Sequence, residues 1–89
     1  MLWNVAVVGA AGMVGTEMIR TLGQRGFPVN ELRPLDVADV AGAEMTFAGR
    51  TVVCREATEA NFAGIDIALF SAGGDASLDL APKAVRQGA

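Results

Sequence analysis

The stretch Gly9-Ala10-Ala11-Gly12-Met13-Val14-Gly15 constrains this chain more than any other. It follows the apolar run Val5-Ala6-Val7-Val8. It opens a helical pattern in which Gly15, Met18, Ile19 and Leu22 fall at i, i+3, i+4 and i+7. Strand, glycine turn and helix in that order form the first half of a parallel crossover. Gly9 lets the chain leave the strand tightly, Gly12 leaves the main chain open to a close approach, and Gly15 lets the helix lie near the sheet. The first N–H groups of such a helix have no partner in it, and its dipole favours negative charge there. A ligand-free turn could carry the same glycines. The strand before, the helix after and an acidic residue about twenty positions on favour a pyrophosphate seat at residues 9–14.

The chain has 89 residues, 52% of them apolar, and a net charge of −3 without any histidine. That size suits one small α/β domain over residues 1–89, with a compact core rather than disorder. No basic face is visible, so nucleic acid is not an expected partner. The single cysteine, Cys54, rules out an internal disulfide framework and any CxxC metal site. Without histidine, the usual zinc site and a Ser-His triad are out of reach. Cys54 lies in the run Val52-Val53-Cys54 and reads as a small buried residue. No signal peptide or membrane-length apolar run is present, so the chain reads as soluble and cytoplasmic, without a membrane partner.

Residues 3–8 read as a first strand, nearly all apolar, as expected of a strand covered on both faces. A helix follows over about residues 12–25, with Thr16, Glu17, Arg20, Thr21 and Gln24 on its outer face. Met13 and Met18 read as packing residues. Gly26 stops the helix, Phe27 packs back on its last turn, and Pro28 cannot continue it. A short second strand spans residues 32–35 and ends at Asp36, followed by a loop over 37–42. Residues 44–47 and 51–54 read as a hairpin around Ala48-Gly49-Arg50. Residues 58–62 read as a short helix capped by Thr58 and ended by Gly64. Residues 65–70 form another buried strand, with Asp66 facing solvent at its entrance. The small-residue loop Ser71-Ala72-Gly73-Gly74 then leads to a last helix within residues 75–87, kinked or restarted at Pro82 and stopped by Gly88. The expected fold is a Rossmann-like three-layer α/β sandwich, with about four main strands in a mostly parallel sheet and a β-hairpin. In such a sheet the first strand and the strand before Ser71 lie side by side where the strand order reverses. The two glycine loops then wall a crevice, which turns Ser71, Ala72 and Gly73 into candidate contacts.

Several blocks resemble one family. They are Asn4-Val5-Ala6-Val7-Val8-Gly9-Ala10, Met13-Val14-Gly15, Phe27-Pro28, Glu31-Leu32-Arg33, the run from Phe62 through Asp66-Ile67-Ala68-Leu69-Phe70-Ser71-Ala72-Gly73 to Gly74, and Ala81-Pro82-Lys83-Ala84-Val85. They are similar to the amino-terminal part of bacterial aspartate-semialdehyde dehydrogenase, over essentially the whole chain. The resemblance implies a Rossmann coenzyme domain. It also implies membership of an NADP-dependent enzyme that interconverts aspartyl phosphate and aspartate semialdehyde through a cysteine thioester. The family's catalytic cysteine, arginines and histidine lie downstream of the stretch this chain resembles. Cys54 does not match that cysteine, so no catalytic residue is expected here.

The departures gather where coenzyme is read. The family carries threonine where Ala11 stands. After the second strand it reads Ala-Ser-x-Arg-Ser-Ala-Gly, and its arginine and serines cradle the 2′-phosphate of NADP. This chain reads Asp36-Val37-Ala38-Asp39-Val40-Ala41-Gly42, so Val37, Asp39 and Val40 stand in their place. A carboxylate about 4 Å from a phosphate charge, at an effective dielectric of about 20, costs on the order of 4 kcal/mol before screening. Asp36 sits where NAD-type sites keep the acid that holds the ribose hydroxyls. The expectation is therefore an NAD-type coenzyme contacted by Gly9, Ala10, Ala11, Gly12, Met13, Val14, Asp36, Asp39, Val40, Ser71, Ala72 and Gly73, with NADP the coenzyme of the family. A natural frame with a local rewrite and no carboxyl-terminal half reads as an engineered or truncated fragment, inactive alone. Two alternatives stay open: an S-adenosylmethionine site, which also uses a glycine turn and an acid, and a half-Rossmann scaffold with no ligand. An open sheet edge at the strand 65–70 would invite a homodimer.

Overall fold

The computed structural model describes residues 2–71 and 74–89, with side chains in the last helix from Leu80 onward. The elements are β1 (Trp3–Val8), α1 (Met13–Gln24), β2 (Val29–Asp36), β3 (Glu44–Phe47), β4 (Arg50–Val53), β5 (Arg55–Glu56), β6 (Ile67–Phe70) and α2 (Gly74–Arg86). Single 3₁₀ turns occupy Ala38–Val40 and Glu59–Phe62. The main sheet is ordered β5-β2-β1-β6, and all three pairings are parallel. The antiparallel pair β3-β4 stands apart as a hairpin.

β1 is apolar throughout because both of its faces are covered. Val5 and Val7 point to one side, where they pack with Ala10, Ile19, Leu32 and Phe47 under α1. Ala6 and Val8 point to the other, with Leu35, Phe62, Ile65, Leu80 and Ala84 under α2. The period of two along β1 thus builds two cores, one per layer, and makes the three-layer sandwich.

Several expected boundaries move. β2 begins at Val29 rather than residue 32, because Trp3 and Asn4 already pair with Val29 and Glu31. Pro34 lies within β2 although proline cannot donate to a ladder. It is tolerated because β5 spans only two residues, so β2 is an edge strand over most of its length. β4 starts at Arg50, opposite Phe47, which leaves Ala48 and Gly49 as a two-residue turn. Both lie in the left-handed region, at φ +51° and +78°. The short helix over 58–62 is only a 3₁₀ turn, and Thr58 precedes it without any side-chain cap. Asn61 takes up that bracing by donating from Nδ2 to the Glu56 carbonyl at 2.7 Å. β6 starts at Ile67 because Asp66 is spent on β1. Its Oδ2 accepts the Asn4 N–H at 2.8 Å while its own N–H donates to the Asn4 carbonyl. α2 runs through Pro82 without a break.

Met13 is not a packing residue. It is 90% exposed, with Val14 beside it at 60%. Cys54 is buried, as its apolar context implied.

Candidate functional site

β1 is flanked by β2 on one side and β6 on the other, and the connections diverge from it: α1 leads to β2, while β6 arrives from the far end of the chain. The carboxyl ends of β1 and β6 therefore open onto a crevice at the reversal of strand order. Gly9, at φ +84°, turns the chain out of β1 in a left-handed conformation that suits glycine. The turn is pinned to β2, since the N–H groups of Gly9 and Ala10 both donate to the Leu35 carbonyl, at 2.8 and 3.2 Å. It is pinned to α1 as well: Thr16 Oγ1 donates to the Ala10 carbonyl at 3.1 Å. That support role for Thr16, on a position read as plain outer face, was not foreseen.

The three loop glycines have separate reasons to be glycine. A β-carbon on Gly15 would collide with the Gly9 carbonyl oxygen and lie 2.8 Å from the Ala10 Cα, so α1 could not approach the loop. Gly12 is different. Its φ of −76° is open to any residue, and a β-carbon there would meet only the Gly9 oxygen at an ordinary 3.4 Å. Gly12 is exposed, and it precedes α1 without offering a side-chain cap. The first-turn amides of Met13 and Val14 thus have no acceptor from the cap.

Asp36, at the tip of β2, reaches across to the glycine turn. Its Oδ2 accepts the Ala11 N–H at 2.8 Å and its Oδ1 accepts the Val37 N–H at 2.8 Å. The structure therefore brings Asp36 together with residues 9–14. Opposite, Ser71 closes the gap between β1 and β6: its N–H and Oγ both donate to the Val8 carbonyl at 2.9 Å, and Oγ also reaches the Gly9 carbonyl at 3.2 Å. Asp39 and Val40 sit on the 3₁₀ turn just beyond Asp36, with Asp39 exposed. Ala72 and Gly73 lie outside the described residues.

Burial, and then the negative charge of Asp36, push the Cys54 thiol above its ordinary range, which keeps it protonated. Among the described residues no group of three or more His, Cys, Asp or Glu could hold a metal, and no helix is long and apolar enough to cross a membrane. An apolar trough of about 620 Å³ runs along the outer side of α1, between Met13, Val14, Met18, Leu22, Phe27 and Leu69 at the edge of β6. It adjoins the glycine loop but lies off the crevice.

A parallel sheet with a glycine turn leading from its first strand into an uncapped helix at the switch point defines a dinucleotide-binding domain of the doubly wound class. The chain belongs to the family described as semialdehyde dehydrogenase, NAD binding domain, whose model matches residues 4–89. It is 48% identical over 86 residues to aspartate-semialdehyde dehydrogenase of Bacillus subtilis (strain 168), covering 97% of this chain and 25% of that protein. With the same enzyme of Streptomyces akiyoshiensis it shares 51% over 86 residues, covering 97% of this chain and 24% of the relative. The crystal structure of aspartate semialdehyde dehydrogenase II from Vibrio cholerae, complexed with ASA, superposes with a TM-score of 0.94 at 41% identity. That match covers 99% of this chain and 29% of that one. The chain thus spans about a quarter of the length of the relatives it matches. The resemblance seen in residues 62–74 and the Rossmann-like architecture both stand.

Proposed function

We propose that this chain is the coenzyme-binding part of an aspartate-semialdehyde dehydrogenase and holds a dinucleotide across the crevice between β1 and β6. The pyrophosphate rests on the main chain of residues 9–14 and on the amides of Met13 and Val14. Asp36, Asp39 and Val40 border the adenosine ribose, and Ser71 stands on the opposite wall. The interconversion of aspartyl phosphate and aspartate semialdehyde would need residues from a longer chain, so these residues bind and orient coenzyme only.

Gly12 carries this reading. Nothing in the backbone or the packing requires glycine there, whereas a pyrophosphate lying on the main chain does. Calorimetric titration with NAD, NADP and S-adenosylmethionine tests it, on the wild-type chain and on Gly12→Val. Saturable binding of a dinucleotide, lost in Gly12→Val with the circular dichroism unchanged, is the expected outcome. Binding of S-adenosylmethionine alone, or equal binding by the variant, would refute it.

A further inference from the structure

The geometry points to Asp36 as the residue that sets coenzyme specificity, and we infer that this site takes NAD and rejects NADP. The inference rests on the dinucleotide reading above and adds which of the two coenzymes the site accepts. Asp36 stands at the tip of β2, where a carboxylate in this class of fold meets the adenosine ribose hydroxyls. Its two hydrogen bonds hold it from both sides: Oδ2 to the Ala11 N–H in the glycine turn and Oδ1 to the Val37 N–H after β2, each at 2.8 Å. Each carboxylate oxygen keeps a further acceptor site for a ribose hydroxyl. A carboxylate tied to two separate backbone segments cannot swing aside when a phosphate arrives.

The surroundings offer that phosphate no relief. Residues 9–15 and 36–42, with Ser71 opposite, include Asp36 and Asp39 and neither lysine nor arginine. On the neighbouring strand Glu56 pairs with Asp36, adding another negative side chain. The cation on β5, Arg55, pairs with Leu35 and so projects from the opposite face of the sheet. A 2′-phosphate would enter a rim of fixed negative charge without a donor fork to pair with. A 2′-hydroxyl instead gains a charge-assisted hydrogen bond.

Paired titrations of NAD and NADP into the chain decide the matter, alongside AMP and adenosine 2′,5′-bisphosphate as minimal probes of the same difference. NAD is expected to bind at least about tenfold more tightly than NADP, and AMP more tightly than the bisphosphate. Asp36→Asn keeps an oxygen for the Ala11 N–H but removes the charge, so it should weaken NAD and narrow the gap severalfold. Asp39→Asn leaves the two tethers untouched and guards against misfolding of the first variant; it should narrow the gap less. NADP binding as tight as NAD, or a gap unmoved in Asp36→Asn, overturns the specificity assignment while leaving the dinucleotide site standing. Binding of neither coenzyme overturns both.

Discussion

Gly15 and Gly9 are in such close approach that the Gly15 Cα faces the Gly9 carbonyl with no room for a methyl group, and the Ala10 Cα closes the same space. This contact sets the distance of α1 from β1. Gly15→Ala must push the helix outward or distort the turn, both backbone shifts. A loss of about 2–3 kcal/mol in urea unfolding is expected, with coenzyme binding lost as well. Gly12→Ala, three residues away, should cost under about 1 kcal/mol of stability yet weaken binding at least tenfold. Equal stability losses in the two variants would contradict this division.

Arg33 ties β2 to the turn before β6. Its Nη1 donates to the carbonyls of Asn61 and Ala63 at 2.8 and 2.7 Å, while Nε and Nη2 engage Glu31 at 2.9 and 3.2 Å. The side chain is 12% exposed, so the bonds are largely shielded from water. Arg33→Ala should destabilise by about 2–3 kcal/mol, the range of hydrogen bonds to a charged group. Arg33→Lys should recover little, since a single ammonium cannot reproduce the fork. Chemical denaturation of both variants checks this; a fully stable lysine variant would show that the charge alone suffices.

Ala48 occupies the left-handed region at φ +51°, a conformation that costs a residue with a β-carbon roughly 1 kcal/mol. With Gly49 it forms the two-residue turn for which Asn-Gly is the preferred sequence. Ala48→Asn or Ala48→Gly should therefore raise stability by about 0.5–1 kcal/mol, read as a higher melting temperature. No gain in either variant would argue for a different turn in solution.

The hydrogen bond from Arg86, and then that from Gln87, hold the Glu59 carboxyl below its usual 4.5. A carboxyl whose folded value is depressed contributes stability above its unfolded value and loses it as pH falls through the folded one. The link between Glu59 and α2 should thus weaken below about pH 4.5, and modestly, because the pair is exposed and screened. Glu59→Gln should flatten the wild-type decline between about pH 5 and pH 3. Parallel acid titrations of the two proteins would dismiss the pair as a pH-dependent contributor.

Much of the fold could be read from local pattern. β1 and α1 follow from an apolar run and a helical stripe, and residues 66–73 gave the family away. What escaped reading was set by distant partners. Nothing local shows that residues 29–31 pair with Trp3 and Asn4, so the strand reads from residue 32 only. Thr58 has the residue type of a cap, yet Asn61 does that bracing. Asp36 was recognisable by its distance from the glycines, but its bond to Ala11 spans 25 positions and exists only once β2 lies beside β1. Thr16 gave no signal at all, because a helix surface position does not announce a carbonyl beneath it.

The trough between α1 and the β6 edge has a practical consequence for anyone handling this domain. With Met13 and Val14 bare at its rim, the native chain offers environment-sensitive dyes an apolar resting place. Fluorescence would start bright in a dye-monitored melt, and its rise would understate unfolding. Circular dichroism or calorimetry would give the honest transition.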